Sequence, residues 1–174
     1  MNKNGQNRYT VGVLVSNEPG VLSRVSGLFS RRGFNIESLA VGPTQDQSVS
    51  RITIVVLGND SSIEQLVQQL YKLIVVRKVR VYDPANTVER QLVMIKVAAT
   101  AAEREGLMRI VEIFKAKVVD VTREPLSLTI TGDADKVSAM IELLEDYGIT
   151  EIVRTGTVAL QRGNQIMNSE LFDL

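Results

Sequence analysis

Val11, Val13 and Val15 alternate with Thr10, Gly12 and Leu14, a period of two that predicts a strand. Directly after it Val21, Leu22, Val25, Leu28 and Phe29 recur at helical spacing until Gly33 ends the run. Ile36, Leu39 and Val41 predict a second strand, closed by Gly42-Pro43 and a polar loop over 44–48, and residues 51–57 a third. Asp60 or Ser61 is expected to cap a second helix whose apolar face is Ile63, Leu66, Val67, Leu70 and Ile74. A strand over 76–81 then stops at Asp83-Pro84. The order is βαββαβ, the split unit of ferredoxin-like folds.

The order then begins again. Residues 92–97 predict a strand, Leu107, Ile110, Val111 and Phe114 a helix face, and 118–121 and 126–131 two further strands. Asp133 is placed to cap a helix carrying Val137, Met140, Ile141 and Leu144, which Gly148 stops. Strands over 149–154 and 158–160 complete the repeat. The expectation is an α+β fold of two ferredoxin-like βαββαβ domains. Its parts are a first domain over 1–82, a linker over 83–88, a second domain over 89–162 and a flexible tail over 163–174.

Composition removes most chemistries from this scaffold. The 174 residues carry 20 Lys+Arg against 20 Asp+Glu, so no net field draws the chain to phosphate backbones or anionic lipid, and neither nucleic acid nor a membrane is an expected partner. There is no Cys and no His, which excludes disulfides, thiol nucleophiles, Ser-His-Asp triads and ordinary zinc sites. The start, MNKNGQNR, lacks an apolar stretch for secretion, and no later run approaches a membrane span; the expected location is cytoplasmic. Arg77, Lys78 and Arg80, the Arg31-Arg32 pair and the Glu145-Asp146 pair read as solvated surface. No catalytic residue and no metal ligand is expected.

What remains is the turn Ser16-Asn17-Glu18-Pro19-Gly20-Val21-Leu22. A helix begins with amide donors that have no internal partner, and its dipole adds positive character there, so an anionic group such as an amino-acid carboxylate is favoured. Gly20 has no side chain to obstruct approach. The sequence leaves two roles open for Asn17, capping the helix or meeting a zwitterionic ligand. Asn35 is either a left-handed loop residue after the Gly33 stop or a polar contact, and Ile36 either core or the wall of a site. The second repeat has no such turn: Ala98-Ala99-Thr100 runs straight into Ala101-Ala102-Glu103-Arg104.

The run LVSNEPGVLSRVSGLFSRRGFNIESLAVGPT, followed by SRITIVV, resembles the ACT domain of the small regulatory subunits of acetolactate synthase. The likeness continues through VERQLVMIKV, EIFKAKVVDVT and VRTGTVALQRG, and so over nearly the whole chain. It implies a protein without turnover of its own that activates a thiamine-diphosphate-dependent large subunit, in which Mg and FAD are also expected. It further implies feedback by valine on the first common step of branched-chain amino-acid synthesis. In that family the effector lies between ACT domains of two small subunits, so a homodimer is expected. The matching effector-binding positions are Asn17, Gly20, Val21 and Leu22 from one chain with Asn35 and Ile36 from its neighbour. Gly20, Val21 and Leu22 would offer amides to the carboxylate, Asn17 and Asn35 polar groups to both ends of the amino acid, and Ile36 an apolar wall. Pro19 stands where many relatives carry Ser, which stiffens the turn.

Overall fold

A computed structural model describes residues 7–122 and 125–167. The strands are β1 (Asn7–Ser16), β2 (Ile36–Pro43), β3 (Val49–Gly58), β4 (Val76–Val81), β5 (Thr87–Val97), β6 (Lys117–Val121), β7 (Leu126–Gly132), β8 (Ile149–Arg154) and β9 (Val158–Gln161). The helices are α1 (Val21–Arg31), α2 (Asp60–Tyr71), α3 (Arg104–Ile113) and α4 (Ala134–Glu145). A single 3-10 turn, Pro84–Asn86, separates β4 from β5, with Asp83 Oδ1 accepting the Ala85 amide. Each half is a βαββαβ unit with a sheet, ordered β2-β3-β1-β4 in the first and β6-β7-β5-β8 in the second, where β9 adds a fifth strand by pairing with β5.

In the first unit the period-two pattern of β1 assigns its two faces. Val11, Val13 and Val15 join Ile52, Ile54 and Val56 of β3, Val76 and Val79 of β4, and the apolar stripes of α1 and α2 in one buried core. Phe29 and Leu66 are among its fully buried side chains, each worth about 1.5–3 kcal/mol of burial. The other face of the same strands is mixed, with Leu14 and Val55 buried beside small and polar residues. Gly12 lies opposite Thr53, and Thr53 opposite Ala40, with Thr10 and Thr53 both buried.

The ring of Tyr82 covers Gly12 so closely that a Cβ there would stand 2.8 Å from Tyr82 Cε2. Over the second unit's sheet, α3 and α4 pack Leu107, Val111, Val137, Met140 and Leu144 against Val93, Ile95, Val97, Leu128 and Ile130.

Helix ends explain three departures from the pattern. The cap of α2 is Asn59 rather than Asp60 or Ser61: its side chain accepts the Ser62 amide at 2.9 Å while Ser62 Oγ accepts the Asn59 amide at 3.0 Å, a reciprocal capping box. Ile74, read as part of the apolar face of α2, lies beyond the helix end at Tyr71 and is fully exposed. Lys115, next to the end of α3, has φ of 51° and is the one non-glycine residue with positive φ among the described residues. Asn35 is therefore not left-handed. Asp133 caps α4 as expected, accepting the Lys136 amide at 2.9 Å.

By compactness the chain divides into Met1–Val88 together with Thr157–Leu174, and Glu89–Gly156. That division groups the strand over 158–160 and the start of the expected tail with the first unit, while β9 itself pairs with β5. The physical reason is where their hydrogen bonds go. Arg51 Nη2 donates to the Ala159 carbonyl at 3.0 Å, Arg80 Nη1 to Gln161 Oε1 at 2.7 Å and Arg80 Nη2 to the Ile166 carbonyl at 3.1 Å. Arg80, read as solvated surface, is thereby engaged. The rest of the expected tail, 168–174, lies outside the described residues.

Candidate functional site

The turn between β1 and α1 is built from both sides. The Asn17 amide donates to the Ser48 carbonyl at 2.8 Å and its side-chain Nδ2 to the Gln47 carbonyl at 2.9 Å, while Ser50 Oγ donates to Asn17 Oδ1 at 3.0 Å. Asn17 therefore caps nothing; it ties the turn to the loop before β3. That loop is itself self-bonded, with Asp46 Oδ1 accepting the Ser48 amide at 2.8 Å and Thr44 Oγ1 accepting the Asp46 amide at 3.2 Å. The bond from the Ser48 backbone holds the Asp46 carboxyl below the usual carboxylate range.

Beyond Asn17 the chain turns at Pro19-Gly20 and enters α1. Gly20 is the N-cap residue, at φ 81° and ψ −3°, with no side chain bonded across the helix start and open space where a Cβ would stand. No acidic residue sits in the first turn. The Val21 amide makes only a long bond of 3.4 Å to the Glu18 carbonyl, and the amides of Leu22 and Ser23 meet no acceptor among the described residues. Val21 is buried, whereas Leu22 is exposed at the rim. The arrangement is an uncompensated helix N-terminus with an apolar side chain beside it, fit to take a carboxylate attached to a small apolar group.

The far end of α1 is sealed in a different way. Phe34 N donates to the Phe29 carbonyl at 3.0 Å and Gly33 N to the Ser30 carbonyl at 3.1 Å, with Gly33 at φ 72°. This is a Schellman motif, and its apolar clasp is the edge-to-face pair of Phe29 and Phe34, ring centres 6.2 Å apart. It delivers Asn35 to the surface, exposed, and Ile36 half-buried against the core.

The six expected effector residues thus fall into two groups. Asn17, Gly20, Val21 and Leu22 come together at the start of α1, while Asn35 and Ile36 lie past its other end. An eleven-residue helix rises about 16 Å, so one small amino acid cannot touch both groups in a single chain. The sequence reading missed Ser50 and the 44–48 loop as the support for Asn17. The Thr-x-Asp-x-Ser spacing of that loop was the available signal.

A second hollow, of about 500 Å³, lies between α2 and the β1–β4 edge and is lined by Tyr9, Asp60, Ile63, Glu64, Val67, Gln68 and Val81. Tyr9 Oη donates to Asp60 Oδ1, which raises the Tyr9 pKa. In the second unit the chain ahead of α3 is self-bonded, though its N-cap Glu103 makes no side-chain bond to the helix start: Glu103 Oε2 accepts the Thr100 amide at 2.9 Å and the Thr100 hydroxyl at 2.7 Å, which lowers the Glu103 pKa. Among the described residues no group of three or more acidic side chains is placed to hold a metal ion. No described helix is long and apolar enough to cross a membrane.

Residues 11–78 match the family described as "AHAS small subunit-like ACT domain", and residues 90–163 the family described as "Small subunit of acetolactate synthase". An acetolactate synthase small subunit from Mycolicibacterium smegmatis is 50% identical over 160 residues, covering 92% of this chain and 94% of that protein. One from Mycobacterium leprae is 48% identical over 155 residues, covering 89% and 92%. The crystal structure of the acetolactate synthase small subunit from Thermotoga maritima superposes with a TM-score of 0.84 at 44% identity, over 91% of this chain and 99% of that one. With the two-unit fold, the repeated βαββαβ order and matches that run nearly end to end, the chain belongs to the acetolactate synthase small-subunit family.

Proposed function

We propose that this chain binds valine at the start of α1 and, by doing so, regulates a separate catalytic large subunit of acetolactate synthase. The observation that carries the effector reading is the bare N-terminus of α1, with Gly20 open, no acidic side chain in the first turn and the Leu22 and Ser23 amides without acceptors among the described residues. The valine carboxylate takes those amides and Leu22 meets its isopropyl group. The ammonium is met by Asn35 of a second copy, because Asn35 of the same chain is a helix length away. Asn17 acts mainly by holding the turn, since its side-chain amide is already engaged by Gln47 and Ser50.

Two copies pairing through their first units therefore complete the site. Thiamine diphosphate, Mg and FAD belong to the large subunit in this reading. Valine can shift the paired state by no more than its differential affinity, about 1–3 kcal/mol per coupled site.

The test is reconstitution with the large subunit from the same organism and titration of valine against acetolactate formation. The expected result is activation by this chain and inhibition by valine, with Gly20→Asp keeping activation and losing inhibition. A folded Gly20→Asp subunit that leaves the enzyme as sensitive to valine as the wild type would refute the assignment of the site.

A further inference from the structure

Ser50 and Arg51 are neighbours on β3, so their side chains leave opposite faces of the sheet. Ser50 supports the ligand turn through Asn17 Oδ1. Arg51 crosses the other face, where Nη2 donates to Tyr82 Oη and, at 3.0 Å, to the Ala159 carbonyl, with the guanidinium carbon 5.8 Å from the centre of the Tyr82 ring. Its Nε is buried and has no partner. A buried donor left unmatched marks an arrangement that other states can rival, because the full desolvation of that group is uncompensated.

The segment that Arg51 grips is the return over 157–167, which the chain enters three residues after β8 ends at Arg154. The segment is also held away from Arg51: β9 pairs with β5, and the Arg162 amide donates to the Asn86 carbonyl at 2.7 Å. Thr157 N donates to Ser38 Oγ at 2.7 Å, and Arg80 reaches Gln161 and the Ile166 carbonyl. Between the segment and the sheet lies a cavity of about 290 Å³, lined by 40–43 of β2, Arg51 and Thr53 of β3, and 158–160. The segment can therefore shift without opening the core on the helix side of the sheet.

We propose that Arg51 is a positioning residue for the effector response, joining the ligand turn to the return segment through adjacent positions of one strand. A ligand at the start of α1 sets Asn17 and Ser50. Through β3 it then favours the clamped over the released state of 157–167, and so reaches the stretch of chain leading out of the second unit. The proposal rests on the valine reading above.

The experiment uses the full-length protein with valine as the probe. Calorimetry measures valine binding, and hydrogen exchange at 157–161 is followed with and without valine in the wild type, Arg51→Met and Tyr82→Phe. In the wild type, valine should slow exchange there at least fivefold. Arg51→Met should exchange faster and ignore valine while its valine Kd stays within about threefold. Tyr82→Phe, which keeps the ring over Gly12 and loses the phenolic acceptor, should show a reduced response and carries the test if Arg51→Met does not fold.

Valine binding to the wild type with unchanged exchange at 157–161 overturns this proposal alone, as does a response in Arg51→Met equal to that of the wild type. A wild type that binds no valine overturns the effector reading and this proposal with it.

Discussion

Gly12→Ala places a methyl group where the structure has none to spare. Position 12 lies in the middle of β1, has ordinary extended geometry, and would by itself gain from the change, since alanine restricts the unfolded chain by about 0.4–1 kcal/mol relative to glycine. The new Cβ, however, would stand 2.8 Å from Tyr82 Cε2 and 2.9 Å from Tyr82 Oη, inside any real contact. Tyr82 is buried, so its ring can clear the methyl only by moving off the sheet, and overpacking of this kind costs about 1–3 kcal/mol. Loss of the Tyr82 acceptor for Arg51 adds to it.

The balance is a net destabilisation of about 1–3 kcal/mol, to be read from urea unfolding followed on the first unit. The decisive version repeats Gly12→Ala in a Tyr82→Ala background. With the ring gone the methyl has room, and the same substitution should turn neutral or stabilising by up to about 1 kcal/mol. If Gly12→Ala is equally harmful in both backgrounds, the close approach of Tyr82 is not its cause and the reasoning fails.

Two further predictions concern the ends of elements. Asn59→Ala removes one side of the capping box on α2 and should cost about 1 kcal/mol, whereas Asn59→Gly should cost only a few tenths; equal melting of wild type and Asn59→Ala would contradict the cap. Asp46 is held below its ordinary carboxylate range by the Ser48 amide, so its contribution is fully present above its unfolded pKa and disappears as pH falls through the lower folded one. Acid titration should accordingly loosen the 44–48 loop and weaken valine binding, and Asp46→Asn should flatten that acid limb in calorimetry. An unchanged limb would count against the loop as support for Asn17.

The fold was readable because the two periods were clean. Val11, Val13 and Val15 could face only one way, and the α1 stripe ended where Gly33 makes a helix end inexpensive. What resisted reading depends on partners distant in sequence. Asn59 looks no better a cap than Asp60 until Ser62 is seen to answer it, and Ile74 fits the α2 spacing although the helix stops before it.

Asn17 has the polarity of a ligand contact, and its commitment to Gln47 and Ser50 lies 30 and 33 residues away. Residues 158–160 have strand pattern but nothing local that names their partners; β5 supplies the strand pairing, and Arg51, 108 residues earlier, holds the Ala159 carbonyl. The two groups of the candidate site were likewise visible one by one, and only the length of α1 shows that they cannot serve one ligand in one chain.

The first unit is written in two pieces, with the whole second unit between them. During synthesis its sheet and both helices leave the ribosome long before residues 157–167 exist, and at about 5–20 residues per second the delay amounts to several seconds. For that time Arg51 and Tyr82 have no return segment to hold. The four strands on the main path of the second sheet exist before β9, the partner of β5, so the nascent chain has a fixed order of closure. A chain cut short just before Thr157 would be released with β5 lacking its β9 partner and its first unit still open along the face that Arg51 crosses.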